Sequence, residues 1–409
     1  QGTFSPVSQL PGARLAGTFE GWGYDPVATP TFEYADVVAL GAGVDDGRLF
    51  RLFDREGNTL ALRPEMTTAI ARLAATRLGA QARPLRLFYL ANVFRYDEPQ
   101  QGRDREFSQA GAELIGDAAP TADAEIVALA VAALADAGLR DYRLDIGHHG
   151  FFHGLMQDLG VDEPLQNELH DALLERNLVA YAGLCAAVPQ AGRERLLAVP
   201  DLMGDQSLFA AAQRVVAGPR SQAALDNLRA VYAATAAAGD ADKVRLDLSM
   251  VKALGYYTGM VLEGYAPGIG FTLCSGGRYD GLVQRFGRND PAVGVSLGVE
   301  RLMLALARQG ALPDAAPAAP VLVDADASRR PEARALVQRW REAGLRVIAA
   351  GQHSDEASLR AAARRLGATA AYLGAEAGRV RLWTGAAGAA SGFETVAAES
   401  LPARLGAKP

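Results

Sequence analysis

The spacing of apolar and polar residues predicts strands over much of the first half of the chain. Residues 48–62 alternate around a Glu-Gly-Asn turn at 56–58, which predicts a β-hairpin. Leu85–Val93 and Glu106–Ile115 predict two more strands. The loop between them is unusually long and charged, whereas an ordinary hairpin needs about two to five residues. This loop therefore calls for a functional explanation.

Helical patterns follow these strands and continue through the middle of the chain. Pro64 suits the first turn of one helix, and Thr121–Ala137 predicts another with Thr121 as its N-cap. The stretch "YRLDIGHHGFFHGLM" predicts a strand, a glycine turn and a helix. Residues 155–240 show no strand-like alternation and are rich in helix formers. Strands resume at "VRLDLS", which begins at Val244.

Strand patterns on both sides of the helical block predict an α+β fold. We expect an antiparallel sheet flanked by helices in a domain spanning 1–310, with a helical insert at about 155–240. The segment "GYDPVATPTFE" predicts an edge or interface strand, because proline cannot sit inside a ladder. An Ala- and Pro-rich linker is predicted at 311–320. Strand–helix alternation over 321–409 predicts a small α/β domain.

Composition and charge narrow the classes of function. The 409 residues include 41 Lys and Arg against 47 Asp and Glu, a net charge of −6, which argues against a general nucleic-acid binder. Cys185 and Cys274 have neither disulfide nor metal spacing, which favours a reducing cytoplasm. His148, His149 and His153 cluster without Cys or carboxylate at metal spacing, so no metal is expected. No apolar run approaches the roughly 20 residues that cross a bilayer.

The charged hairpin and its neighbours supply candidate binding residues. Arg95 and Arg103 are rigid donor forks suited to carboxylate or phosphate, although an ion network at the surface would explain them equally well. Gln109 and Glu113 share one face of their strand, and Glu65 stands just before a helix. Buried carboxylates and amides need a cationic or multi-donor ligand. The ammonium group of an amino acid would satisfy them.

Three further segments admit both a structural and a functional interpretation. The glycines of "SGGRYDG", 275–281, permit close approach to a ligand or form a simple bulge. The pair Tyr256–Tyr257 could belong to the core or to a site. Arg301, near a helix start, opposes the helix macrodipole, so a local carboxylate or an anionic ligand should compensate it.

Taken in order, these segments resemble the catalytic domain of class II aminoacyl-tRNA synthetases of the histidyl type. "FRYDEPQQGRDREFSQAGAELIG" is similar to the second class motif, and "GVSLGVERL" to the third. "GYDPVATPTFE", with Pro30, is similar to the first motif, which builds the dimer interface. "LRPEMT", "ALGYYTGMVLE" and "GGRYDGL" are similar to histidine-recognition segments. The resemblance covers nearly all of residues 10–310.

Two families share this resemblance: histidyl-tRNA synthetase and its non-catalytic paralogue, the regulatory subunit of ATP phosphoribosyltransferase. In the synthetase an arginine contacts the substrate carboxylate where this chain has Lys252, and an aspartate stands where it has Gly255. Lysine lacks the planar bidentate fork of arginine. Met66 replaces a usual glycine, and "DIGHHGFFHGLM" is closer to the regulatory family. The regulatory subunit is therefore favoured, with histidyl-tRNA synthetase as the alternative.

The resemblance implies roles for individual residues. Glu65, Thr67 and Gln109 would hold the ammonium group of histidine, and Arg95 and Gln109 its carboxylate, with Lys252 assisting. Glu113, Tyr257 and Tyr279 would bind the imidazole nitrogens. Arg103 and Arg301 would be remnant nucleotide contacts. No catalytic residue, cofactor or metal is expected.

Partners are implied in the same way. The family that the chain resembles forms a hetero-octamer of four regulatory and four catalytic chains. The catalytic partner would be the short-form ATP phosphoribosyltransferase, the regulatory chains would dimerise near Pro30, and L-histidine would be the feedback effector. The last 89 residues, 321–409, resemble a degenerate anticodon-binding domain without a basic–aromatic strip, so tRNA is not expected as a partner.

Overall fold

The computed structural model describes residues 9–41, 46–96, 104–252, 255–312, 319–351, 355–374, 376–384 and 393–405. The chain divides into two compact units, Gln1–Pro313 and Asp314–Pro409. Most of the predicted linker, residues 313–318, lies outside the described residues. None of the described helices is both long and apolar enough to cross a membrane.

The strands of the first unit belong to one large and one small sheet. In chain order they are β1 Asp25–Pro26, β2 Phe32–Tyr34, β3 Arg51–Phe53, β4 Thr59–Leu62, β5 Leu85–Phe94, β6 Glu106–Ile115, β7 Arg143–His148, β8 Met203–Gly204, β9 Val244–Asp247, β10 Met260–Tyr265, β11 Cys274–Arg278 and β12 Ala292–Gly298. The long strands β5 and β6 agree with the prediction.

Helices surround the large sheet and fill the middle of the chain. The α-helices are α1 Gln9–Gly21, α2 Ala35–Leu40, α3 Thr67–Ala75, α4 Pro120–Ala137, α5 His149–Asp158, α6 Glu163–Leu174, α7 Leu178–Cys185, α8 Gln190–Ala198, α9 Leu208–Val215, α10 Pro219–Ala237, α11 Asp280–Gln284 and α12 Val299–Arg308. Short 3₁₀ turns occur at Asp46–Arg48, Val199–Asp201 and Ala241–Lys243.

The large sheet has nine strands in the order β1-β5-β6-β12-β11-β10-β7-β9-β8. Its centre, from β5 to β7, is antiparallel as predicted. The pairs β1–β5 and β7–β9 are parallel, so the sheet is mixed rather than antiparallel throughout. The helical block connects β7 to β9 as a long crossover, which a parallel pair requires.

Two hydrophobic clusters cover the two faces of this sheet. The larger cluster packs α1, α4, α5 and α10 against one face, with Phe19, Ile126 and Phe151 fully buried. The smaller cluster includes α3 and a set of tyrosines on the opposite face, around Ile70 and Tyr279. The candidate binding site lies on this second face.

A separate three-stranded sheet, β2-β4-β3, lies near the start of the chain. The hairpin of β3 and β4 is closed by Asp54, whose carboxylate accepts hydrogen bonds from the backbone and side-chain nitrogens of Asn58, both at 2.8 Å. The edge strand predicted in "GYDPVATPTFE" is divided in two: β1 is at the edge of the large sheet and β2 is at the edge of the small one, and residues 27–31 between them belong to neither. Pro26 and Pro30 provide no N–H for a continuous ladder.

Local details of two helix starts also differ from prediction. Thr121 is not an N-cap: the helix begins at Pro120, and Ala119 is its N-cap. Proline at the first position needs no N–H partner, so it sets the start one residue earlier. No glycine turn separates β7 from α5, because His148 caps the helix directly by accepting a hydrogen bond from Gly150 N at 3.1 Å.

The second unit is a small α/β domain, as the strand–helix alternation predicted. Its sheet has the order β14-β13-β15-β16-β17, with two parallel and two antiparallel pairs. The elements are β13 Val321–Ala325, α13 Arg330–Glu342, β14 Val347–Ala349, α14 Glu356–Leu366, β15 Thr369–Leu373, β16 Arg379–Trp383, β17 Glu394–Ala397 and α15 Leu401–Arg404, with 3₁₀ turns at Ala327–Arg329 and Ala398–Ser400.

Candidate functional site

A cavity of about 220 Å³ opens on the tyrosine-lined face of the large sheet. Strands β5, β6, β11 and β12 form its floor, and residues just before and within α3 form one wall. The predicted site residues that line it are Glu65, Thr67, Arg95, Gln109, Glu113, Tyr257, Tyr279 and Arg301. Residues that are far apart in sequence are thus brought together as the resemblance implied.

Glycines make the floor of this cavity deep enough for large side chains. Gly294 lies opposite Glu113 in the register of β12 and β6. A Cβ atom at Gly294 would overlap Oε2 of Glu113, and one at Gly111 would overlap the hydroxyl of Tyr89. Both positions are therefore restricted by close approach. The bare backbone leaves room for buried polar groups above the sheet.

Glu113 is the most buried carboxyl group of the cavity, at 1% exposure. It accepts hydrogen bonds from Thr67 Oγ1 at 3.0 Å and from the Tyr279 hydroxyl. Burial raises the pKa of Glu113 from its ordinary 4.5 to about 8, although these two hydrogen bonds lower it. A ligand that donates an N–H or brings a positive charge would favour the ionised carboxylate.

Glu65 and Gln109 add two more acceptors to the same cavity. The Glu65 carboxylate accepts from Thr68 N at 3.0 and 3.2 Å, which caps the start of α3. Gln109 is 8% exposed, and within the described part of the chain its Oε1 atom is buried without a hydrogen-bond partner. Buried polar atoms are normally paired. Gln109 therefore marks a position where a ligand donor belongs.

The basic residues of the cavity stand at its edge. Arg95 donates from Nε to the carbonyl oxygen of Pro64 at 2.8 Å and lies 5.4 Å from the Phe107 ring centre. Arg301 donates to the carbonyl oxygen of Thr272 at 2.9 Å and lies 5.3 Å from the ring centre of Phe271. Arg103 lies outside the described residues.

Lys252 differs from the other predicted site residues because it does not line the cavity. Its Nζ donates to Leu262 O at 3.2 Å, to Glu263 Oε1 at 2.7 Å and to Ser275 Oγ at 3.0 Å. An ammonium group has three donors, and all three are used here. Burial lowers the pKa of Lys252, while Glu263 raises it. The lysine thus takes part in an internal network beside the cavity, and its partner Ser275 lines the cavity.

Two of the tyrosines that line the cavity, Tyr89 and Tyr256, were not among the residues given a binding role from the sequence. Tyr89 is 1% exposed, and its hydroxyl has no hydrogen-bond partner among the described residues. Tyr256 packs edge-on against Tyr279, with ring centres 5.9 Å apart. Alternation along β5 places Tyr89 on an inward face, but alternation alone does not distinguish a core tyrosine from a site tyrosine. The cross-strand pairing of Tyr89 with Gly111 would have marked this tyrosine as a site residue, but sequence spacing does not reveal that pairing.

Two histidines of the predicted cluster, His149 and His153 on α5, form a row of rings with His170 on α6. The centres of the His149 and His153 rings are 4.6 Å apart, and those of His153 and His170 are 5.4 Å apart. Burial lowers the pKa of His148 to about 4 and that of His149 to about 3. Across the described residues, no group of His, Cys, Asp and Glu has metal-site geometry.

The sheet and the cavity together define a class II synthetase-like domain of the histidyl type. A family model described as Histidyl-tRNA synthetase matches residues 11–302. A solved histidyl-tRNA synthetase from Nostoc sp. PCC 7120 covers 99% of this chain and 97% of its own, with a TM-score of 0.81. Its identity is only 22%, so it supports the fold alone.

More similar relatives carry a different description. Regulatory subunits of ATP phosphoribosyltransferase from Desulforamulus reducens and Moorella thermoacetica are 42% and 43% identical, over 86% of this chain and 87% and 91% of theirs. A Bacillus halodurans structure described as an ATP phosphoribosyltransferase regulatory subunit/histidyl-tRNA synthetase has a TM-score of 0.80 at 33% identity, covering 91% of this chain and 95% of its own. The chain belongs to the ATP phosphoribosyltransferase regulatory subunit family.

Proposed function

We propose that this chain is a regulatory subunit of ATP phosphoribosyltransferase that binds L-histidine in the cavity of the large sheet. It is non-catalytic on its own and acts with a short-form catalytic subunit in the first step of histidine biosynthesis. Its relatives over most of its length are named as regulatory subunits, which supports this role. Histidine binding would provide feedback inhibition.

The observation that carries histidine binding is the unpartnered Oε1 atom of Gln109 beside two buried carboxyl groups. Glu65, Thr67 and Gln109 would surround the ammonium group, and Arg95 would hold the carboxylate. Glu113, Tyr257 and Tyr279 would receive the imidazole ring. Glu113 can accept from one ring nitrogen, and a tyrosine hydroxyl can donate to the other. An amino acid with a ring that both donates and accepts fits this set.

The alternative function, histidine activation and tRNA charging, is disfavoured by Lys252. The synthetase that the chain resembles uses an arginine at this position to contact the substrate carboxylate. Lys252 instead donates all three hydrogens within the protein. Arg301 remains at the cavity edge as a remnant nucleotide contact. Histidine-dependent exchange between ATP and pyrophosphate would reveal adenylation, and we expect none.

Self-association through the small sheet accompanies this proposal. The strands β2 and β3 expose Phe32, Tyr34, Leu52 and Phe53 at 54%, 49%, 37% and 72%. The strand register places Phe32, Tyr34 and Leu52 on one face of the small sheet and Phe53 on the other. The three exposed apolar side chains that share a face are typical of a protein interface. We propose a dimer through this sheet, within a hetero-octamer of four regulatory and four catalytic chains. Cys185 and Cys274 are free and buried, which fits a reducing cytoplasm.

Binding and inhibition can be tested on the same variants. Calorimetry should detect L-histidine binding to the full chain, alone or with the catalytic subunit present. Gln109→Ala and Glu113→Ala should each weaken it by about tenfold or more, because each removes a hydrogen bond to a charged or polar ligand group. Gln284→Ala, an exposed glutamine on α11, serves as the matched control.

Three results would contradict the proposal. Absence of binding heat both with and without the catalytic subunit would remove the cavity as a histidine site. Unchanged histidine inhibition of the complex in both Gln109→Ala and Glu113→Ala would instead assign sensing to another place. Clear turnover in the ATP–pyrophosphate exchange assay would favour the synthetase function.

A further inference from the structure

A second cavity, of about 690 Å³, opens in the first unit and is lined mainly by arginines. Among its described lining residues, six arginines stand against one carboxylate, Asp145. They are Arg48, Arg95, Arg143, Arg176, Arg245 and Arg301. This concentration is unexpected in a chain whose net charge is −6. It creates a local positive potential where the protein as a whole is acidic.

Asp145 fixes two of these arginines in place. It is 3% exposed and accepts hydrogen bonds from Arg143 Nε at 2.8 Å and from Arg245 Nε at 3.0 Å. The register of β7 and β9 places Asp145 directly beside Arg245. One carboxylate therefore orients two guanidinium groups, and Asp247 adds a second negative charge near Arg245. Oriented forks of this kind bind phosphate oxygens with little loss of side-chain freedom.

Arg176 reaches the cavity from the helical block, between α6 and α7. Its φ of 54° is the only positive value at a non-glycine residue in the described part of the chain. Arg176 is the C′ residue of α6, where left-handed backbone commonly ends a helix: Arg176 N donates to Leu173 O at 3.1 Å and Asn177 N donates to Ala172 O at 2.8 Å. The helical block thus contributes a cation to a cavity whose other walls belong to the sheet.

We propose that Arg143, Arg176 and Arg245 form a binding site for a small molecule that carries two or more adjacent phosphate groups. None of the three belongs to the segments that resemble synthetase motifs. Guanidinium forks match phosphate oxygens, and three of them exceed what a single phosphate needs. The cavity volume lies in the range of small-molecule sites. Its concave form favours a compact anion over an extended RNA strand, which needs a basic groove along its backbone.

The probe for this site is inorganic tripolyphosphate, titrated calorimetrically into the full chain at low ionic strength. Arg176→Glu should weaken binding by at least about tenfold, because it replaces a charged hydrogen-bond donor by a like charge. Arg379→Glu, an exposed arginine of the second unit with the same charge change, should leave binding unaltered. Histidine affinity should also be unchanged in Arg176→Glu, since this residue does not line the first cavity.

Three further ligands distinguish the source of the phosphates: inorganic pyrophosphate, ATP and a sugar pyrophosphate. If ATP or the sugar pyrophosphate binds more tightly than pyrophosphate, and this binding is lost in Arg176→Glu, that ligand identifies the natural class of phosphate compound. Absence of tripolyphosphate binding to the unmodified chain would overturn the proposal. Equal weakening by Arg176→Glu and Arg379→Glu would also overturn it, as would tighter binding of a short single-stranded RNA than of tripolyphosphate.

Discussion

Gly294 and Glu113 are register partners on neighbouring central strands, and the Glu113 carboxylate occupies the space where a Cβ of residue 294 would lie. The cavity is deep at this point because Gly294 has no side chain. A single methyl group on β12 would force the carboxylate away from Thr67 and Tyr279, which now hold it.

Gly294→Ala should therefore weaken L-histidine binding by about tenfold or more, through displacement of a hydrogen-bonded carboxyl group. Gly281→Ala is the matched control, because a Cβ there meets no atom within 4 Å. Calorimetric titration measures both variants, and circular dichroism verifies that each remains folded. Equal histidine affinity in the two variants would show that the position of Glu113 does not govern binding.

The raised pKa of Glu113 predicts a pH dependence of stability in the ligand-free protein. Its pKa is about 8 when folded and ordinarily 4.5. Between these values the folded state retains a proton that the unfolded state has lost. The free energy of unfolding should then fall as pH rises from about 4.5 to 8, and the penalty is complete above pH 8.

Glu113→Gln removes this titration while retaining a similar shape. The variant should unfold at a higher temperature than the unmodified chain at pH 8.5, and the difference should shrink at pH 5.5. Asp123 also has a raised pKa, of about 7, so the comparison must be between the two proteins rather than between two pH values of one. A temperature difference that is the same at both pH values would contradict the assignment.

Where side chains alternate along strands, the sequence predicted well which residues line the cavity. Gln109 and Glu113 are four residues apart on β6, so their side chains lie on the same face of the strand, and both line the cavity. The order of the synthetase-like motifs predicted that Glu65, Thr67 and Tyr279 belong to one site, although they are far apart in the sequence. The assignment to the regulatory subunit family is confirmed by the relatives.

The direction of single side chains was harder to predict. Motif position placed Lys252 near the substrate carboxylate, yet its ammonium group bonds to Glu263, Ser275 and a backbone carbonyl, which offer three acceptors beside the cavity. Cross-strand partners decide such directions, and they depend on a register that sequence spacing does not specify. Tyr89 was missed for the same reason.

The pair Lys252–Glu263 should contribute to stability more than to ligand binding. Lys252→Met removes the cation from a side chain that is 6% exposed and leaves Glu263 without its partner. Breaking a buried ion pair in this way costs about 3–5 kcal/mol. Urea denaturation should show the loss, and Lys252→Met combined with Glu263→Gln should recover part of it. A loss of histidine affinity with unchanged unfolding free energy would instead support direct contact with the ligand.

Phe32 provides the test of self-association. It is 54% exposed on β2, on the same face of the small sheet as Tyr34 and Leu52, so Phe32→Asp should leave the fold of one chain intact while placing a charge in the proposed interface. Light scattering coupled to size exclusion should then report a monomer where the unmodified chain is a dimer, because a buried unpaired carboxylate strongly disfavours association. Val179 is an apolar residue on α7 that is 86% exposed, and Val179→Asp is the control that should remain dimeric. A dimer that persists in Phe32→Asp and dissociates in Val179→Asp would move the interface from the small sheet to the helical block.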